Sequence, residues 1–193
     1  MPYNLDKNYH ALDRVDKWDE VTQNSIKNRL EKELGEISFF HYLSKEEGEV
    51  LKIITSIAIP QKNKNGYIKI AEAIDRGLSD EKEGVRYGEN PWSGEFYHTG
   101  LSAVHEYTKK NYAKTIADMS SAELEEFFSK SISDKNAGFL HAFLRKVLTD
   151  SINIYFSHPS SWDKIGFPGP AYPEGYAYLD CEEKDDWEPK YEN

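Results

Sequence analysis

Glu95, His98 and His105 are the residues whose types and spacing come nearest to metal chemistry in this chain. A Glu-x-x-His pair places a carboxylate and an imidazole one helical turn apart, and His105 follows His98 by seven residues, on the same helix face. A di-iron carboxylate bundle needs two such pairs on facing helices, and no second pair exists. The other histidines, His10, His41, His141 and His158, are scattered. His141 stands in the most apolar helical pattern, where a satisfied core histidine is the expectation. Cys181 is the single cysteine, which excludes an internal disulfide, a cysteine-based zinc site and a protein-held iron–sulfur cluster. Gly166 and Gly169 in GFPG lack the spacing and the preceding strand of a dinucleotide fingerprint and read as turn residues. There is no P-loop, no nucleophile elbow and no Cys–His nucleophile system. Among 34 acidic residues some carboxylates must be neighbours, but sequence alone singles out no pair with split pKa values. The residues lean toward a binding or accessory role. A free-standing helical enzyme with a metal at Glu95, His98 and His105 is the runner-up, and a stand-alone protein-interaction module the third reading.

The richest segment is Phe156 to Tyr178, which sets Trp162, Phe167, Tyr172, Tyr176 and Tyr178 among Pro159, Pro168, Pro170 and Pro173. Proline fixes φ and removes a donor, so this run cannot continue a helix and makes a poor central strand. Its aromatics are too many for a solvated tail. An irregular, extended arm is expected, lying either on the chain's own helices or on another protein. Trp and Tyr are enriched at interface hot spots, which makes Trp162, Ile165, Phe167, Pro168, Tyr172 and Tyr176 the candidate partner-binding residues.

The elements that must position this arm read as helices. Val15, Trp18, Val21, Ile26, Leu30 and Leu34 space out one amphipathic helix that Gly35 would close. Ser44 and Glu47 form a capping box before Val50, Leu51, Ile54 and Ile57, with Pro60 as the stop. Tyr67, Ile70, Ala71, Ile74 and Leu78 mark a third helix, and residues 79–94, with three glycines and a proline, a long loop. Leu101, Val104, Thr108 and Tyr112 form a stripe, and Ser120 with Glu123 caps a helix carrying Leu124, Phe127, Phe128 and Ile132. From Phe139 to Tyr155 the apolar residues cover more than one face, the pattern of a helix at the centre of a bundle. No alternating strand pattern and no repeat appears. The fold class is all-α, a single-domain bundle of about six helices: an N-terminal arm and extra helix over 1–37, a helical core over 38–157, and a Pro/aromatic arm with an acidic tail over 158–193.

At 193 residues the chain has the length of one domain. A formal net charge of −10 argues against nucleic acid and against an anionic membrane surface. No run of 18 apolar residues is present, so direct membrane insertion is not expected. The opening residues show neither a charged-then-apolar leader nor twin arginines, and the expected location is the cytoplasm unless a signal-bearing partner exports the chain.

Taken in order, these segments resemble the gluconate 2-dehydrogenase subunit 3 family across roughly residues 38 to 180. The similarity runs through YLSKEEGEVLKIITSIAIPQ, IAEAIDRGLSD, TGLSAVHEYTKKNYAKTIADMSSAELEEFF and FLRKVLTDSINIYFSHP, and closes on WDKIGFPGPAYPEGY. The closing block looks like the family's W-x-x-I-G-F-P-G ending. The resemblance implies a non-catalytic accessory subunit that binds, stabilises or helps mature a large flavoprotein dehydrogenase of the glucose–methanol–choline type. That partner would hold FAD and act on sugars, sugar acids or polyols, with a cytochrome subunit added in some complexes; no cofactor is expected in this chain. Two departures stand out. About forty extra residues, including a helix, occupy the place of the family's twin-arginine signal, and the Gly-rich stretch before the closing tryptophan is shortened to HPSSW.

Overall fold

In the computed structural model, residues 10–34, 40–61, 67–79, 93–134 and 138–170 are described. Their regular elements are helical, as the all-α reading expects. In chain order they are α1 (Glu20–Leu34), α2 (Lys45–Ala58), α3 (Ile70–Ser79), α4 (Ser93–Tyr112), α5 (Ser121–Ser133), α6 (Phe139–Ser157) and the single turn α7 (Trp162–Ile165). Short 3-10 turns occupy Ala11–Lys17, Ile116–Asp118 and Pro159–Ser161. The chain divides into two compact units, one of Glu36–Tyr155 and one of Met1–Gly35 with Phe156–Asn193.

Within Glu36–Tyr155 both capping boxes form. Ser44 Oγ accepts from the Glu47 N–H at 3.2 Å while Glu47 Oε2 accepts from the Ser44 N–H at 2.9 Å; Ser120 and Glu123 repeat the exchange at the start of α5. Each box satisfies two of the orphan donors of a helix start. α2 ends at Ala58 because Ile59, which precedes Pro60, is driven out of helical conformation. Gln61 then ties the end of α2 to the segment before α3: its side-chain amide donates to the Ile68 carbonyl and accepts from the Ile68 N–H, each at 2.9 Å.

Leu51 and Ile54 of α2 are fully buried, and α2 packs extensively on α3, α4 and α5. Asp75 of α3, also buried, accepts three backbone N–H groups, from His41 at 2.6 Å, Tyr42 at 3.1 Å and Leu43 at 2.8 Å. A carboxylate so bound needs no cation, and it fixes the segment leading into α2. α4 and α6 approach closely at Gly100, where a Cβ would sit 2.1 Å from the Phe143 ring.

Several sequence expectations are corrected in detail. Tyr67 lies outside α3 and is exposed. α4 starts at Ser93, ahead of its apolar stripe, and carries Glu95 and His98; Gly94, which reads as a loop residue, lies in its first turn with the Tyr42 hydroxyl against it. α6 is not apolar-buried all round: Leu140, Phe143, Leu144 and Val147 form one buried stripe, while Phe139 and Ile152 remain 38% and 39% exposed. Gly48 of α2 lets the Phe40 ring lie against the helix backbone.

In the other unit, the single N-terminal helix expected from the apolar spacing is broken in two. The 3-10 turn ends at Trp18, and Asp19 restarts the chain as α1 by accepting from the Thr22 N–H at 2.9 Å. The break turns Trp18 inward and leaves Val15 and Val21 exposed. The proposed helix stop, Gly35, lies outside the described residues. After α6 the arm is less extended than its prolines suggest. Pro159 occupies the first position of a 3-10 turn, where its missing N–H costs nothing, and His158 Nδ1 caps that turn by accepting from the Ser160 N–H at 3.1 Å. α7 follows and is closed by Gly166 in the left-handed region, φ 68°.

Candidate functional site

The closing block Trp162–Gly169 sits in the unit of Met1–Gly35 and Phe156–Asn193, and its side chains divide. Trp162 is 5% exposed and packs with Ala11, Trp18 and Ile26. The two indoles meet edge to face, centroids 6.3 Å apart at 85°, an arrangement that sets a positive ring edge on a negative face. Ile165 and Phe167 are 48% and 39% exposed. Phe167 stands edge-on to Trp162 at 5.2 Å, and its N–H donates to the Trp162 carbonyl at 3.0 Å. Pro168 is half-buried. Tyr172 and Tyr176, the last two candidate partner-binding residues, lie outside the described residues, as does Cys181.

The block is tied down by residues that sequence reasoning had not connected to it. Asp163 uses both carboxylate oxygens: Oδ2 meets His10 Nδ1 at 2.9 Å, and Oδ1 accepts from the Ala11 N–H at 2.8 Å. The hydrogen bond to Asp163, then its charge, hold the His10 imidazole above its usual pKa. Arg29 of α1 donates to the Ser157 carbonyl at 2.8 Å. Gly169, at φ 92°, runs so close over Trp18 that a Cβ would lie 2.6 Å from the indole. Only glycine meets both conditions without strain. The one available signal was Trp18 itself, a large apolar residue in a charged stretch; its partner lies 144 positions away, beyond any periodicity.

The metal reading of Glu95, His98 and His105 is not assembled. His98 Nδ1 is engaged 2.6 Å from Glu47 Oε1 on α2, with the Tyr42 ring 5.1 Å away, while Glu95 and His105 are exposed. Among the described residues no three His, Cys, Asp or Glu side chains gather as a metal group. Burial pushes the Glu47 carboxyl up, but hydrogen bonds from His98 and Ser44 outweigh it, and its net pKa is lowered. Glu47 thus serves the α2 cap and His98 together. His141 is satisfied as expected, 3.2 Å from the Ser131 carbonyl.

Two other places hold polar groups. Tyr97, buried in the core of Glu36–Tyr155, donates to Asp150 Oδ2 at 2.7 Å, and Lys146 donates to the same carboxylate. Burial, with the Asp150 charge, pushes the Tyr97 hydroxyl well above its usual pKa; it is a neutral structural donor. A cleft of about 730 Å³ between α4 and α5 is lined by Glu106, Tyr107, Lys110, Lys130, Ser131 and Asp134 among others. Its two lysines and two carboxylates cancel, and Lys130 is paired with Glu126, so it has no net charge with which to select an ion.

The closing block therefore presents Ile165 and Phe167 as exposed apolar side chains beside a buried Trp162. No curated protein and no solved structure matches the chain. The family model described as gluconate 2-dehydrogenase subunit 3 matches residues 45–169, from the first residue of α2 to Gly169 at the end of the closing block. That span is more than half of the 193 residues, and the chain belongs to the gluconate 2-dehydrogenase subunit 3 family.

Proposed function

We propose that this protein is the accessory, non-catalytic subunit of an FAD-dependent dehydrogenase of the glucose–methanol–choline type, acting on a sugar, sugar acid or polyol. FAD and substrate belong to the large subunit. This chain stabilises that subunit or assists its maturation, and its docking edge is Ile165, Phe167 and Pro168. The observation that carries the reading is the division of the closing block, the terminal part of the family match: one aromatic is sealed inside while the next two apolar side chains stay in solvent. Large apolar groups held in fixed positions at the surface are what an interface anchor requires. The acidic charge supports a protein partner rather than a nucleic acid.

Co-expression with a glucose–methanol–choline type flavoprotein dehydrogenase from the same organism tests the proposal. A yellow complex with one FAD per large subunit is the expected product, while the chain purified alone is colourless and without dehydrogenase activity. Stoichiometric flavin in the isolated chain, or a flavoprotein that matures equally well without it, would refute the reading.

A further inference from the structure

The family match begins at residue 45, so the segment from His10 to Leu30 lies outside it. That same segment meets the closing block at Trp162, Asp163 and Gly169, and the chain just ahead of it at Ser157. Arg29 grips Ser157 ahead of it. His10 and the Ala11 N–H take both oxygens of Asp163 at its start, and Trp18 lies against Trp162. Trp18 also underlies Gly169 at its end. Ala11, Trp18 and Ile26 are buried by these contacts, whereas Ile165 and Phe167 are left exposed. The N-terminal segment therefore covers one side of the block and leaves the other open.

We propose that the segment His10–Leu30 is the positioning element of the docking edge, with Trp18 as its key residue. The α7 turn is four residues long, far too short to persist alone, since isolated helices below about 12 residues are marginal in water. Its conformation depends on what packs behind it. Held by Trp18, the turn presents Ile165 and Phe167 already ordered, and the partner need not supply the ordering entropy. This inference rests on the docking proposed above and adds to it a residue that never touches the partner. It also assigns a role to the extra N-terminal residues: they set the shape of the edge, and hence which partner fits.

The test uses the full chain as wild type and as Trp18→Ala, Trp18→Phe, Gly169→Ala and Phe167→Asp. Two quantities are read: affinity for the co-expressed flavoprotein dehydrogenase, and amide hydrogen exchange in the chain alone. In Trp18→Ala the Gly166 and Phe167 amides, bonded to the Asp163 and Trp162 carbonyls, should lose protection while α2 and α5 keep theirs. If the turn is then formed about one-tenth of the time, the apparent Kd rises about tenfold. Trp18→Phe should retain most of both. Gly169→Ala, which drives a Cβ into Trp18, should move in the same direction as Trp18→Ala and provides the measurement if that variant does not fold. Trp18→Ala or Gly169→Ala with unchanged protection and unchanged affinity would overturn the positioning role. Phe167→Asp separates the two ideas. If it abolishes capture while Trp18→Ala leaves it intact, the edge stands and the positioning fails. If it leaves capture intact, the docking reading fails, and the positioning of that edge with it.

Discussion

Within Glu36–Tyr155 the described core includes eighteen buried apolar residues, whereas the unit of Met1–Gly35 and Phe156–Asn193 has four, Ala11, Trp18, Ile26 and Trp162. The larger core is built from helices that each announce themselves, through capping boxes and apolar residues at three- and four-residue spacing. The smaller one joins groups 128 to 153 positions apart and relies on one indole pair and one carboxylate. Burial of apolar area is the main stabilising term, so the two units should differ in how much disruption they tolerate and in which measurements report it. A large helical core combined with a lightly held closing block suits the docking role proposed above, because binding loops and moving elements are drawn from the less stable parts of a fold.

The largest expected effect lies in the bigger core. Phe143 is fully buried between Gly100, Tyr97 and Phe96, and Phe143→Ala should cost about 3–5 kcal/mol in denaturant unfolding followed by far-UV circular dichroism. Trp162→Ala removes a side chain of similar size, but its cost cannot exceed the free energy of opening the small unit. The expected result is lost exchange protection around Trp162 with the main transition unmoved. If the two variants shift that transition equally, the contrast between the units is wrong.

A smaller effect is expected at Asp75. Asn keeps one acceptor in place of two and loses the charge, leaving part of the His41–Leu43 backbone unsatisfied. Asp75→Asn should cost about 2 kcal/mol, read as a lower melting temperature. The residue should be insensitive to salt, since its partners are amides rather than cations.

The smallest effects are two titrations. Glu123 is lowered to about 2 by hydrogen bonds first from Lys114, then from Ser120. Its contribution to the start of α5 is present above its ordinary value of 4.5 and is lost as pH falls through about 2. His10 behaves in the opposite sense. Its pKa is raised by Asp163, so the pair contributes fully below the ordinary value of 6.5 and fades as pH rises through the raised one. Both are visible in side-chain NMR titrations, and Asp163→Asn should return His10 toward its ordinary value. An unshifted His10 in the wild type would mean that the N-terminal segment does not hold Asp163.

The contrast also explains what could be read from the sequence. Ser44 with Glu47, Ser120 with Glu123 and the Pro60 stop are local devices, so α2 and α5 were legible nearly to the residue. The break at Trp18–Asp19 was not, because Val15, Trp18 and Val21 fit a helical period that the Asp19 cap overrides. Among the described arm residues the expectation of an apolar surface holds for Trp162, which packs with Trp18 and Ile26, and not for Phe167, which is exposed. That split depends on Gly166 and Gly169 taking positive φ, which no hydrophobic pattern encodes. His98 looked like a ligand by spacing along one helix, while its partner, Glu47, comes from another.

The central claim, that Ile165 and Phe167 form the edge that binds the large dehydrogenase subunit, is tested most directly by the affinity of Phe167→Asp. Isothermal titration of the wild type and this variant against the flavoprotein should show affinity at least about 30-fold weaker, the loss of an anchor worth about 2 kcal/mol, with the melting temperature of the helical core unchanged. Equal affinity of the two proteins would contradict the account and place the interface elsewhere on the chain.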